Sequence, residues 1–457
     1  MLSSLETRSL IGLAFLYATR MLGLFMVLPV LGLYASDYSG GSTLMVGLCL
    51  GIYGLTQGIL QIPFGLASDR FGRKQLIIVG MLLFAGGSVI AALSESIYGV
   101  IIGRALQGSG AVASVIMALL SDVTREENRT RAMAAVGGSI GLSFALAMVL
   151  GPLVASHWGM PAIFWLTAIL SGLGMLVLLL VIPNPSVNNA GPDVIPLPAM
   201  LSRVLRDPEL WRLNLGIFVL HFAQMATWVS IPLLLEQDMG FARDDHWYLY
   251  LATMGGGFVL MVPFIWWGET RRKMKPVFVG AVAVLVVSEA IMANANNQLP
   301  IMALGLLVFF VAFNLLEASL PSLVSKTCPA GIKGTAMGAY STSQFLGAFA
   351  GGVVGGVMAH TFGLSAVFWI ALVAALVWFF VALSMRTPRY LRTITWQHKT
   401  ESLGASDHLA ASALVKAVAG VEDVVHLPGH GVTYIKVDDV HLDKVHLEQV
   451  MACEPQG

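Results

Sequence analysis

Of 457 residues, 56% are hydrophobic and only 11% charged, and 26 basic side chains balance 26 acidic ones. A mean hydropathy of +0.78 leaves far too little charge to cover a soluble surface of this size, so a soluble globular protein is excluded and most of the chain belongs in lipid. A bilayer core about 30 Å thick takes roughly 20 apolar residues per helix. Twelve such stretches can be drawn, at 9–35, 44–66, 75–93, 97–120, 131–155, 162–182, 211–237, 246–268, 275–294, 299–324, 333–358 and 364–385.

The first stretch is too long for a secretory signal and lacks a small-residue cleavage site, so it reads as a retained helix. It carries Arg20, with Asp37 just beyond its end. The second carries Gln57 and Gln61 and runs into a charged loop, Gly65-Leu66-Ala67-Ser68-Asp69-Arg70-Phe71-Gly72-Arg73-Lys74. Here Asp69 and Arg73 can pair around a tight turn, while Gly65 and Gly72 let a neighbouring helix approach. With Asp122, after the fourth stretch, they form a candidate latch between two bundles; the plainer reading of Arg70, Arg73 and Lys74 is that they orient the chain. The fourth stretch contains Arg104, with Gln107 one turn on and Gly103, Gly108 and Gly110 for close helix packing. Gly151-Pro152 lies in the fifth.

Residues 183–210, with six prolines, read as a linker ending in a short helix near Arg203, so the chain divides into a six-helix bundle over 1–182, the linker, a second six-helix bundle over 211–386 and a polar tail over 387–457. The second bundle holds His221, Gln224 and Glu236 in 211–237, Glu289 in 275–294, Asn314 and Glu317 in 299–324, and Gln344 beyond them. Charge inside a span costs about 2.5–3.5 kcal/mol, so each charged group needs a partner or a function. Glu317 is the first candidate for a proton site, with Asn314 one turn before it on the same face; a helix-to-helix hydrogen bond is the alternative. Glu289 divides evenly between proton site and structural partner. Arg20, Arg104, Gln107, His221, Gln57 and Gln61 are further candidates for the proton path or substrate cavity. Glu236 and Asp37 lie near helix ends, where water solvates them.

The tail reads strand, helix, strand, strand, helix: Thr393–His398, a helix from Ser406 or Asp407 to about Val418, Val421–Leu427, Val432–Val437 and Leu442–Met451. That order suggests a ferredoxin-like α/β sandwich with a short or missing last strand. Six of the ten histidines lie there, at 398, 408, 426, 430, 441 and 446, but without Cys-x-x-Cys they read as solvated surface groups rather than a metal site. The three cysteines, Cys49, Cys328 and Cys453, show no pairing pattern.

The halves repeat. Ile62-Pro63-Phe64 is answered by Val262-Pro263-Phe264, Arg131-Ala132-Met133 by Thr335-Ala336-Met337, and Phe164-Trp165 by Phe368-Trp369. Two halves of one orientation around a midplane site are the plan of a parallel-repeat transporter. Basic residues gather in alternate loops, and the opposite loops offer only Arg243, so both termini are expected in the cytoplasm.

At these residues a family resemblance is plain. Gly65 to Lys74 resembles the signature loop of the major facilitator superfamily, and Arg104, Gln107, Gly108 and Gly110 resemble its fourth-span motif. Gly141 to Pro152 is similar to the fifth-span motif of its proton-driven drug antiporters, with Leu153 and Val154 where that motif continues toward paired glycines. The first span, Phe309 to Glu317 and the soluble tail together resemble the bacterial YajR-type transporters. The resemblance implies twelve inner-membrane helices, proton-coupled export and a ferredoxin-like cytoplasmic tail. The fold class expected is therefore an all-α membrane protein of two six-helix bundles with a small α/β domain. The function expected is proton-driven efflux of small lipophilic or amphipathic compounds. A proton symporter that imports a solute, and a transporter-like sensor acting through its tail, are the alternatives. Protons, a small-molecule substrate and the bilayer are the expected partners, with the tail touching the transporter body or another copy. No nucleic acid, cofactor, metal or enzyme chemistry is expected, and no nucleotide motif points to ATP as the energy source.

Overall fold

The computed structural model describes residues 4–183, 198–328, 333–387, 391–397, 414–427, 432–438 and 441–452. Twelve helices among them are long and apolar enough to cross a membrane, and they match the hydropathy stretches one for one. Spans 1 to 6 are Glu6–Met26, Thr43–Ser68, Arg73–Leu93, Ile97–Asp122, Ala135–Trp158 and Met160–Leu180; spans 7 to 12 are Pro208–Asp238, Arg243–Thr270, Met274–Ala293, Leu299–Thr327, Gly334–Phe362 and Ala366–Leu383. Each set packs within itself, and the sets meet where span 2 lies along span 11 and span 5 along span 8. An even number of spans brings both ends of the membrane region to one face, which also carries Arg70, Arg73, Lys74, Arg271 and Lys326; it is called the basic end below.

Three helices differ from expectation. Span 1 does not run to residue 35: its helix stops at Met26, a turn covers 27–30, and a short helix Leu31–Tyr34 follows. Pro29 supplies the cause, since it lacks an N–H and disfavours helical geometry at Leu28. Span 4 breaks into Ile97–Ser109 and Ala113–Asp122. The interruption at Gly110 releases its carbonyl from the helix ladder, and a side chain of span 1 takes it up. Span 7 starts at Pro208, earlier than hydropathy placed it, because Asp207 Oδ1 caps the N–H groups of Glu209 at 2.9 Å and Leu210 at 3.2 Å.

The seam between the bundles is tight at one end only. A Cβ on Gly47 would lie 2.2 Å from the Gly352 carbonyl oxygen, and one on Gly54 would lie 2.6 Å from that of Phe345. Nearer the basic end, Gly65 of the same helix faces only Ser114 of its own bundle, and Gly338 of span 11 has nothing within 4 Å. Spans 5 and 8 behave alike: Gly141 faces Phe258 at 3.7 Å, and Gly137, one turn toward the basic end, faces open space. The bundles are closed at the opposite end and parted at the basic one.

The tail forms a three-stranded antiparallel sheet of β1 (Leu391–Gln397), β2 (Val421–Leu427) and β3 (Val432–Asp438) in the order β1-β3-β2, with a helix at Lys444–Ala452. This is the strand order of a ferredoxin-like sandwich without its last strand. Most of the expected helix before Val418 falls outside the described residues, as do His398, His408, His430 and Cys453.

Candidate functional site

Three polar side chains of the second bundle converge where the seam begins to part. Gln344 of span 11 places its Nε2 2.9 Å from His221 Nε2 on span 7 and 3.3 Å from Glu317 Oε1 on span 10. An amide nitrogen only donates, so His221 Nε2 accepts and its proton sits on Nδ1, 3.3 Å from the Ile217 carbonyl. His221 is therefore neutral here, and its Nε2 lies 3.8 Å from Glu317 Oε2. Asn314 Nδ2, Glu317 Oε2 and Tyr340 OH are buried without a hydrogen-bond partner. Tyr17, from the first bundle, comes within electrostatic reach of Glu317 across the seam and of Arg20 on its own side.

Four charged side chains lie well inside the spans: Arg20, Arg104, Glu289 and Glu317. The first three are fully buried, whereas the Glu317 side chain is 38% exposed. Rings wall this site off from the opposite end. Phe144 of span 5 meets Phe25 at 4.9 Å in its own bundle and Phe313 at 6.0 Å and Phe310 at 6.4 Å in the other. Nearer the surface at that end, the Arg243 guanidinium lies 5.3 Å over the Tyr34 ring of the first bundle while bonding Glu236 at 2.7 Å.

The remaining candidates lie elsewhere. Arg20 Nη2 donates to Tyr53 OH at 2.9 Å, Gln57 Oε1 at 2.8 Å and the Gly110 carbonyl at 2.9 Å, and Gln57 passes the chain to Gln61 at 3.0 Å. Arg104 bonds Gln107 at 3.0 Å and stacks 5.1 Å over Tyr53, and Gln107 bonds Ser88 at 2.8 Å. The partners named in this network belong to the first bundle, where Arg20 and Arg104 tie its spans together. Glu289 is fully buried against Thr227 at 3.5 Å, apart from the Glu317 cluster. Gly108 and Gly110 do pack helices: a Cβ on either would lie 2.2 Å from Thr56 Oγ1 or from the Gly80 carbonyl respectively. Gly151, beside Pro152 in span 5, would meet the Met26 carbonyl at 2.5 Å.

In the charged loop, Gly72 holds φ at +98°, a value that favours glycine, and so separates the helices of spans 2 and 3. Arg73 bonds Asp122 at 3.1 Å and Ser68 at 2.6 Å, Lys74 reaches the Ile182 carbonyl, and exposed Arg70 lies 5.8 Å from the Phe71 ring. These partners belong to the first bundle, where the Arg73–Asp122 pair ties span 3 to span 4. The side chain of Asp69 lies outside the described residues.

Tyr17, Tyr53 and Tyr340 were missed by motif reading. A signal was present, since tyrosine favours the membrane interface and one at mid-span asks for a polar partner. Arg20→Ala should destabilise the protein by about 3 kcal/mol, because it strips Tyr53, Gln57 and the Gly110 carbonyl of a charged donor. Thermal unfolding in detergent checks this, and Arg20→Lys should recover less than half, since the shorter lysine stem does not carry its ammonium to the Nη2 position and loses the planar group that lies 5.4 Å from the Phe84 ring.

The family model described as Major Facilitator Superfamily matches residues 13–352. The chain belongs to the major facilitator superfamily. Its sequence is 46% identical to the inner membrane transport protein YajR of Escherichia coli K12, over 98% of this chain and 97% of that one. It is also 29% identical to the multidrug resistance protein MdtH of Aeromonas hydrophila, covering 74% of this chain and 84% of the relative. Among solved structures, a bacterial homologue of the human lysosomal transporter Spinster, inward-facing and occupied, aligns with a TM-score of 0.68 at 14% identity, covering 84% of this chain and 98% of that one. This major facilitator protein is thus a multi-pass transporter and not an enzyme.

Proposed function

We propose that this transporter exports small lipophilic or amphipathic compounds in exchange for protons across the inner membrane, by alternating access. The observation that carries the reading is Glu317, the one charged group deep in the described spans with exposure to the parted seam. The basic end is assigned to the cytoplasm by the positive-inside rule, so the parted seam faces inward. YajR's name as an inner membrane transport protein supports the location, and MdtH's as a multidrug resistance protein supports export.

The mechanism follows from the cost of burying charge. While the seam is open, water reaches Glu317 and Gln344 supports its carboxylate. Closing the seam removes that water, and an unpaired carboxylate then costs several kcal/mol. The closed state therefore accepts Glu317 protonated, or paired with a positively charged compound, but not bare. That choice couples the two fluxes, and each charge moving inward supplies about 2.3 kcal/mol per 100 mV. Tyr17 and Tyr340 beside the carboxyl, with Phe313 5.9 Å from the His221 ring, give an apolar substrate rings to pack on.

Sealed proteoliposomes holding a pH dye, given an imposed proton gradient and a panel of cationic, neutral and anionic lipophilic compounds, test the reading. Proton flux that appears only with a compound is expected. Compound movement with no proton flux at any pH would remove the coupling.

A further inference from the structure

The tail's central strand carries a lysine in the wrong place for a free-standing domain. Along β3, Ile435 and Val437 are fully buried in the tail's own core. Strand alternation sends Lys436 to the opposite face of the sheet, which a two-layer sandwich leaves to solvent. Lys436 is nevertheless only 6% exposed. Its ammonium donates to the main-chain carbonyls of Lys326, at 3.3 Å, and of Cys328. Those carbonyls end the helix of span 10, where Cys328 is the C-cap. The last carbonyls of a helix lack intrahelical donors and carry its partial negative charge, so a cation is favoured there. The Lys326 side chain is engaged separately, with Glu269 of span 8 at 2.9 Å.

The helix so capped is the one that bears Glu317, ten residues before its end at Thr327, or about 15 Å along the axis. The contact also lies beside the moving seam. Closing the basic end must bring the inner part of span 2, near Gly65, toward the start of span 11 at Gly334. Span 11 begins only six positions after Cys328. A domain seated on residues 326–328 therefore stands next to the surface that the first bundle has to reach.

We propose that the tail is a conformational brake: Lys436 docks its sheet on the end of span 10 in the state open at the basic end, and this docking holds that state against closure. A contact available in one state and crowded in the other shifts the equilibrium toward the first by its differential free energy. The inference does not depend on protons or on any substrate.

Spin labels in the full-length protein, with its three cysteines replaced by serine, test it. One pair, Val445→Cys in the tail with Arg271→Cys at the end of span 8, reads docking. A second, Arg70→Cys with Gly338→Cys, reads the seam. A single narrow tail-to-body distance is expected, lost in Lys436→Ala and Lys436→Glu but kept in Lys436→Arg, which retains a long cation and shows that the loss is not misfolding. The two undocked variants should also gain population at the shorter seam distance. A tail distance equally narrow in Lys436→Ala overturns the docking, and an unchanged seam in an undocked variant overturns the brake.

Discussion

Glu317→Gln is expected to abolish compound-dependent proton flux, by about two orders of magnitude or roughly 2.8 kcal/mol of coupling, while leaving the protein folded and able to bind its compounds. Glutamine has the shape of the protonated acid and can still meet Gln344, which sits 3.3 Å from the carboxyl oxygen, but it has no proton to exchange. Wild-type binding of cationic compounds should weaken as pH falls, because the proton competes for the same carboxyl. In Glu317→Gln that pH dependence should vanish. Dye-loaded proteoliposomes read the flux, and thermal shift against compound concentration reads the binding. If flux survives unchanged, the coupling role leaves Glu317, and Glu289 becomes the next carboxyl to replace.

Gly352→Leu is expected to trap the opposite conformation. A Cβ there would sit 2.5 Å from the Gly47 carbonyl oxygen and 2.8 Å from the Gly51 nitrogen, both backbone atoms that no rotamer change can move. Spans 2 and 11 must then separate at the end away from the basic loops. Overpacking of this kind costs about 1–3 kcal/mol, which displaces a two-state equilibrium by roughly fivefold to more than a hundredfold. Transport should fall accordingly. A reporter cysteine at Leu233, buried against Gly32 at that end, should be alkylated faster than in the parent. Gly172→Leu is the control, since nothing lies within 4 Å of that position and neither transport nor alkylation should change. Slow alkylation with normal transport in Gly352→Leu would mean that the seam does not open there.

Span number, the doubling of the bundle and the tail's strand order were all legible from the chain. Each is a property of local composition or period: twenty apolar residues in a row, a pattern recurring 200 positions on, alternation on either side of Pro428-Gly429. Glu317 was legible because charge is rare in lipid. Its partners were not. Gln344 lies 27 positions from Glu317 and His221 lies 96 away, and the network closes only when spans 7, 10 and 11 stand together. Arg20 and Arg104 were legible for the same reason, but their partners were not. Rarity singled them out as it did Glu317, but what each one faces depends on helix rotation, and both turn inward to Tyr53.

The sequence alone therefore determined that this protein lies in the membrane, that it is built twice over, and which few polar groups must be accounted for, because transfer free energy depends on residue type before any contact forms. The tertiary structure alone decided which end is open, that the Glu317 side chain is partly exposed while Arg20, Arg104 and Glu289 are buried, that Arg73 and Asp122 pair within one bundle, and that Lys436 reaches span 10. These depend on distances between segments far apart in the chain, set by glycine contacts and helix breaks whose effect exists only once the helices are packed.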